Sequence, residues 1–318
     1  LRKVLERDIH HAPAYRMLAS FYSRTGDVER ASRVLTALDL LGFAEDTDRS
    51  TMQRLRPMRT AMPIRQPLGD EPRQRLLITP AVREPLGEIF EALAEEITGM
   101  VSSPSLGVDL QPVQSVGDAR LTKIAAEISA LYQLDVDLFV GDKVPGLAAV
   151  TAYPRRLLVL DRSLLTEPDL ALRFLFGYAF EAIRGGYALL LHLGARQRRE
   201  LVTLLRALVA PDGELTGPAT ELVDRASGRA AKVLERHAGL RDVDADAWIS
   251  GMLACAKRGG LVACDDFSAA IWMVARLSGE RLANHDASVA LGAVLGGPDL
   301  VRFYLSDAYQ QLRDSLSA

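Results

Sequence analysis

The spacing of hydrophobic residues predicts helices over most of the chain. Residues 84–99 place Leu86, Phe90 and Leu93 on one face, and residues 118–133 have the same periodicity. Because steps of three and four residues put apolar side chains on one side of a helix, both segments are predicted to be amphipathic helices. Further helices are predicted over residues 167–192, 195–209, 216–238, 243–258, 264–278 and 297–315.

The periodicity changes to that of β-strands between residues 136 and 160. The short runs rich in Val and Leu cover residues 136–140, 147–151 and 156–160. Gly146 and the pair Tyr153-Pro154 separate them, which predicts a small β-meander of about three strands. Helices, a small sheet and then many helices predict a mainly α fold of the α+β class with one edge sheet.

Residues 13–38 have the pattern of a helix-turn-helix repeat. The positions concerned are Tyr15, Leu18, Ala19, Tyr22, Gly26, Ala31 and Leu35. Ala19 and Ala31 would let two antiparallel helices approach closely, and Gly26 would close the turn. The pattern resembles a tetratricopeptide repeat. Such arrays present concave surfaces to peptides or helices, so the resemblance makes Tyr15 and Tyr22 candidate binding residues.

The repeat is expected to need neighbours. A single repeat cannot bury its own apolar face, because stability in such arrays comes from stacked units. Residues 1–9 would be the second helix of a preceding repeat, and further repeats are expected upstream of Leu1. On this interpretation residues 1–48 are the end of an array.

Residues 49–83 differ from their flanks in composition. They contain eight Arg, five Pro and two acidic residues, which gives this segment a net charge of +6, whereas the whole chain carries -3. Because Pro interrupts helices, the segment is predicted to be an extended Arg/Pro linker to a last domain at 84–318. The linker would be either a solvated tether or a segment that meets an acidic surface, of the last domain or of a partner protein.

Composition narrows the possible chemistry. The chain contains five His and two Cys, Cys255 and Cys264, which do not form a disulfide framework and are expected to be reduced. A phosphate-binding glycine loop and a nucleophile elbow are absent from the sequence. Most of the basic residues are Arg, but the overall charge is acidic, so a nucleic-acid partner is not expected.

The most apolar segment, residues 174–195, is interrupted by Glu181 and Arg184. It falls short of about 20 uninterrupted apolar residues, so a buried helix is predicted rather than a membrane span. A secretory leader is not recognisable either. These features favour a cytoplasmic location.

Residues 174–187 resemble the catalytic helix of M48-type zinc metallopeptidases. In that family a helix with a His-Glu-x-x-His motif follows an edge strand, and a later helix supplies an acidic ligand followed by Ala-Asp. Gly177 matches the glycine before the motif, and Gly186 matches a later glycine. Ala245 and Asp246 match the later Ala-Asp pair.

The resemblance implies that the catalytic residues have been replaced. Tyr178 stands where the first His would be, Ala179 where the catalytic Glu would be, and Ala182 where the second His would be. Alanine can neither bind zinc nor abstract a proton. Asp242 falls at the place of the third ligand. The resemblance therefore implies a pseudo-peptidase domain without a metal or another cofactor.

These features together predict a non-catalytic protein-binding or scaffold module. It would be a repeat array that ends in a dead peptidase-like domain, with Tyr178, Glu181 and Asp242 as candidate contacts of the former cleft. One alternative is a divergent metal-dependent hydrolase that uses Glu181, Asp242 or His192. Another is a structural cap that closes the open apolar end of the array.

Overall fold

The structure is a computed structural model of the chain. It describes residues 1–58, 63–83, 85–100, 106–209, 217–226, 228–237, 239, 244–278 and 297–318.

The described residues are mainly helical, with one small mixed sheet. The helices are α1 (Arg2–Arg7), α2 (Ala12–Arg24), α3 (Val28–Leu40), α4 (Asp46–Leu55), α5 (Pro85–Met100), α6 (Ala119–Tyr132), α7 (Asp169–Arg184), α8 (Ala195–Val209), α9 (Pro218–Arg225), α10 (Gly228–Arg236), α11 (Ala245–Cys264), α12 (Phe267–Ser278), α13 (Gly297–Tyr304) and α14 (Asp307–Ser317). The strands are β1 (Val108–Pro112), β2 (Asp137–Asp142), β3 (Ala148–Thr151) and β4 (Leu157–Asp161). This arrangement confirms the predicted α+β class.

Local chemistry explains several helix ends. Asp27 begins α3 by accepting a hydrogen bond from the Arg30 backbone N–H at 3.0 Å, and such caps are typical of helix starts. The helix predicted over 297–315 is divided at Ser306, whose Oγ accepts from the Tyr309 N–H at 3.1 Å. The helix predicted over 167–192 ends at Arg184, two residues before Gly186, which has a φ of 72°.

The sheet is not the predicted meander. Its order is β1-β2-β4-β3, and β2 pairs in parallel with β4, while β3 pairs with β4 in the antiparallel sense. Lys143, Gly146 and Leu147 all have positive φ in the link between β2 and β3. This link takes β3 to the edge of the sheet and leaves the place beside β2 to β4. The exposed strand β1 was not predicted, because none of its residues is buried and its pattern shows no core face.

Both edges of the sheet lack a regular free ladder. At the β1 edge, Asp109 has a φ of 52°, the register shifts between Val108 and Gln111, and Pro112 has no N–H. At the β3 edge, the Val150 N–H donates to His192 Nε2 at 2.8 Å. A bulge, a proline and a covering side chain are known protections of edge strands against pairing with another chain.

The chain divides into two compact units. The first comprises Leu1–Leu77, Pro168–Tyr178 and Lys257–Ala318, and the second comprises Ile78–Glu167 and Ala179–Ala256. This division differs from the predicted boundaries, because the C-terminal helices belong to the unit that contains the repeat.

The end of the Arg/Pro segment is packed within the first unit, which differs from the predicted extended linker. Leu68 and Leu77 are fully buried. The backbone N–H groups of Arg65 and Gln66 donate to the Leu316 carbonyl at 2.7 and 3.0 Å. Carbonyl groups at the end of a helix need such partners, and Leu316 lies at the end of α14. The burial of these two leucines therefore decides the path of this segment more than its charge does.

Glycines allow α7 and α11 to cross closely in the first unit. A Cβ atom on Gly177 would clash with the Cβ of Ala263 and would lie 2.8 Å from the Gly259 carbonyl oxygen. A Cβ atom on Gly260 would lie 2.7 Å from the Phe174 carbonyl oxygen. Both sites lie inside helices, so the need for glycine comes from space rather than from backbone conformation.

Among the described helices, none combines the length and the apolar character that a membrane span requires.

We expect Gly177→Ala to lower the free energy of unfolding by about 1–3 kcal/mol, because the added methyl group overpacks the crossing of α7 and α11. Gly99→Ala is the matched control. Gly99 lies in α5 with open space around its would-be Cβ, so alanine there should stabilise by roughly 0.5–1 kcal/mol. Urea unfolding of both variants measures the difference. Equal effects of the two substitutions would contradict the close crossing.

We expect the stability of the protein to fall as the pH decreases below about 6.5, in part through His192. Burial lowers the pKa of His192 below its ordinary value, so the unfolded chain binds a proton at a higher pH than the folded chain does. As the pH falls below about 6.5, the free energy of unfolding therefore decreases, by at most about 1.4 kcal/mol for each pH unit. His192→Gln, which can still accept from Val150 but does not titrate, should reduce this slope in urea titrations. An unchanged slope would contradict the assignment.

Candidate protein-binding surface

The repeat-like segment folds as two antiparallel helices, α2 and α3. Gly26 has a φ of 78° in the turn between them, a conformation that suits glycine. Ala19 and Ala31 are buried at the contact of the two helices. The short helix α1 precedes them and packs on α2.

The two predicted binding tyrosines lie inside this hairpin. Tyr15 is fully buried, and its hydroxyl donates to the Ile9 carbonyl at 2.9 Å. Tyr22 is also buried, and its hydroxyl accepts from Arg2 Nε at 3.1 Å. The guanidinium of Arg30 lies 5.7 Å from the centre of the Tyr22 ring. This placement differs from the expectation that both rings contact a partner, because their hydroxyl groups hold α1 and α2 together.

One face of the hairpin is covered by the C-terminal helices through a buried guanidinium. Arg33 on α3 is 3% exposed and donates from Nη1 to Gln310 Oε1 at 2.7 Å. Its guanidinium also lies 4.7 Å from the centre of the Tyr309 ring. Both partners belong to α14, so a cation–π contact and a hydrogen bond attach α14 to α3. Helix α12 contacts α3 as well.

The same network continues to the end of α11. The Tyr309 hydroxyl donates to Asp265 Oδ1 at 2.6 Å, and Arg313 Nη2 lies 3.0 Å from Asp265 Oδ2. Burial raises the pKa of Tyr309 well above its ordinary value, and the neighbouring carboxylate raises it further. The hydroxyl is therefore a stable donor. Asp265 stands immediately after α11, so the network joins α14 and the end of α11 to the repeat.

Other apolar side chains of the hairpin face solvent. The exposed ones at this end of the chain are Leu1, Val4, Met17 and Phe21. Met17 is 59% exposed and Phe21 is 49% exposed, and they lie one helical turn apart on α2. Exposed apolar groups that share a face are more informative than scattered ones, since grouped patches mark interaction sites. The four-residue spacing of Met17 and Phe21 was the available sequence signal for this face.

The positions that resemble a peptidase motif lie in the interior of α7. Ala179, Ala182 and Glu181 are fully buried, and the Tyr187 hydroxyl donates to Glu181 Oε1 at 3.3 Å. Tyr178 is half-buried, with its ring parallel to that of Phe174 at a centroid distance of 6.2 Å. Buried alanines and a hydrogen-bonded carboxyl group describe a packed helix.

The third position of that motif, Asp242, lies outside the described residues. Within the described part of the chain, no group of three His, Cys, Asp or Glu side chains is arranged to hold a metal ion. His192, the remaining candidate of the hydrolase alternative, is bonded to the edge of the sheet.

Comparison of the chain with protein-family models, with curated proteins and with solved structures finds no match. Function is therefore inferred from the residues and their geometry.

We expect Arg33→Ala to destabilise the protein by about 2–3 kcal/mol, because it removes a buried cation–π contact and leaves Gln310 without its donor. Arg30→Ala is the matched control on the same helix. Arg30 is part-exposed, pairs with Asp307 at 3.0 Å and lies 5.7 Å from the centre of the Tyr22 ring, and such exposed contacts should cost no more than about 1 kcal/mol when lost. Chemical unfolding measures both. A cost of Arg33→Ala no larger than that of Arg30→Ala would show that the buried network is not a main contributor.

Proposed function

We propose that this chain is a non-catalytic protein-interaction module, in which the solvent-facing side of α1 and α2 binds a helical segment. The segment belongs to a further tetratricopeptide-like repeat of the same protein or to another protein. The single observation that supports this function best is the pair Met17 and Phe21, two large apolar side chains exposed one turn apart on α2.

The asymmetry of the hairpin supports this proposal. Arg33 and the C-terminal helices cover one face of α3, whereas Met17 and Phe21 keep a face of α2 open. Helical repeats obtain stability from neighbours on both sides. A hairpin with one covered and one open apolar face is suited to accept one more helix at the open face.

The charge of the Arg/Pro segment favours an acidic partner surface. Arg54, Arg56 and Arg65 are exposed. Of the described acidic residues, none lies within ion-pair distance of these three. Exposed cations without a counter-charge raise the rate and selectivity of association with acidic surfaces. The acidic surface would meet the segment where these arginines stand.

We also propose that the last domain resembles a peptidase that has lost its catalytic residues. Alanine at positions 179 and 182 offers neither a metal ligand nor a base, which supports a function in binding rather than hydrolysis. We place the protein in the cytoplasm, where the buried thiols of Cys255 and Cys264 stay reduced.

A second function, a structural cap of a repeat array, is favoured by the buried network around Arg33. Terminal repeats need a covering element, and α12 and α14 cover α3 in the manner required of one. A cap and a binding module are compatible in one chain, but they differ in whether a second protein is contacted.

We expect the double substitution Met17→Ser and Phe21→Ser to abolish partner binding with little change in folding. A photo-crosslinking amino acid at Ser20, which is exposed between the two residues, would capture what lies on this face in cells. The crosslinked product should decrease at least ten-fold in the double variant, because apolar anchors carry most of an interface's energy. Met58→Ser is the matched control, since Met58 is also 59% exposed.

Crosslinks that persist in the double variant would contradict the α1–α2 face as the binding surface. Crosslinks only to other parts of the same protein would assign this face to a further repeat of that protein and would contradict binding of a second protein.

A further inference from the structure

A groove in the second unit is lined by none of the residues named for the proposed function. Its volume is about 590 Å³, within the range of roughly 300–1,000 Å³ that is usual for ligand sites. Helix α6 forms one wall, and the beginning of β2 and the turn between β3 and β4 form the other. Val113, Ala125 and Leu138 are among its apolar lining residues.

The charged wall of the groove is held by one ion pair and two hydrogen bonds to backbone carbonyls. Arg155 Nη2 lies 2.7 Å from Asp137 Oδ2. The Asp137 N–H donates to the Arg156 carbonyl at 2.9 Å, and the Thr151 hydroxyl donates to the Arg155 carbonyl at 2.8 Å. The two hydrogen bonds to backbone carbonyls hold the arginine turn against β2 and β3, and the ion pair links the Arg155 side chain to β2. Because this backbone is already ordered, less conformational entropy is lost when a ligand binds.

The opposite wall is fixed as well. Asp118 caps α6 by accepting from the Leu121 N–H at 3.1 Å. Gln133 ends the helix in the left-handed conformation, with a φ of 50°. Ala126 faces the groove from this helix, and Ala130, one turn further along, does not line it. Small side chains on this wall leave the groove open to a chain that lies along it.

Two side chains of opposite charge line the groove without an ion-pair partner among the described residues. Arg156 and Asp135 are both exposed and both line the groove. Of the residues that the structure describes, none of opposite charge lies within ion-pair distance of either. Asp137 and Arg155, by contrast, satisfy each other. The groove is therefore lined by one cationic side chain, Arg156, and one anionic side chain, Asp135, that have no counter-charge among the described residues, together with apolar side chains.

We propose that this groove binds a short peptide segment that carries one acidic and one basic side chain. The guanidinium of Arg156 would bind the carboxylate in a bidentate manner, and Asp135 would bind the basic group. Small apolar side chains between the two charges would contact Ala125 and Leu138. A segment with only one sign of charge would place a like charge beside Asp135 or Arg156, which disfavours its binding.

Four blocked tetrapeptides test the proposal with the full chain. Acetylated and amidated Lys-Ala-Ala-Glu and Glu-Ala-Ala-Lys carry both charges, whereas Glu-Ala-Ala-Glu and Lys-Ala-Ala-Lys carry one sign each. At low ionic strength, where exposed charges are least screened, at least one mixed peptide should bind at least five-fold more tightly than either single-sign peptide in calorimetry. Its saturable amide NMR shifts should centre on Ala125, Ala126 and Ser129.

Variants of the groove complete the test. Ala126→Trp should abolish these shifts by filling the groove, and Ala130→Trp on the same helix should leave them unchanged. Arg156→Glu should weaken binding of the mixed peptide at least five-fold without filling the groove. This variant keeps the test valid if the tryptophan in Ala126→Trp disturbs α6. Single-sign peptides that bind equally well, or a wild-type affinity in both Ala126→Trp and Arg156→Glu, would overturn the proposal.

Discussion

The crossing of α7 and α11 at Gly177 and Gly260 is the contact on which the first unit depends most. Two helices that approach until backbone meets backbone cannot accept even one methyl group between them. The crossing fixes Phe174 against α11 and brings the end of α11, with Asp265, to the buried network. The close packing also explains why residue 177 is a glycine, without any need for a catalytic motif next to it.

A buried guanidinium determines which element packs against the α3 side of the repeat. Arg33 cannot be removed from water without partners. Glu29 on α3 itself lies 3.5 Å from Arg33 Nε, and two further partners, Gln310 and the Tyr309 ring, come from the last helix. The hairpin is thus tied to one particular neighbour on the α3 side. On the α2 side nothing comparable is required, since Met17 and Phe21 carry no charge that must be satisfied.

Periodicity was sufficient to predict most helices and the positions of β2, β3 and β4, because both depend on residues close in sequence. The order of the strands depends on the left-handed residues between Lys143 and Leu147, which have no strong sequence signal. Tyr15 and Tyr22 were found by their spacing, but spacing does not distinguish an inward ring from an outward one. The groove was not predictable, since separate segments meet there and neither Asp135 nor Arg156 belongs to a motif.

The two protected edges of the sheet limit how this chain can meet another. With a bulge and Pro112 at one edge, and His192 bonded to Val150 at the other, each edge is irregular as a template for a further strand. This favours recognition through side chains, which can be exchanged one at a time in evolution. A surface of this kind can gain or lose a partner by one or two substitutions while the fold beneath it stays the same.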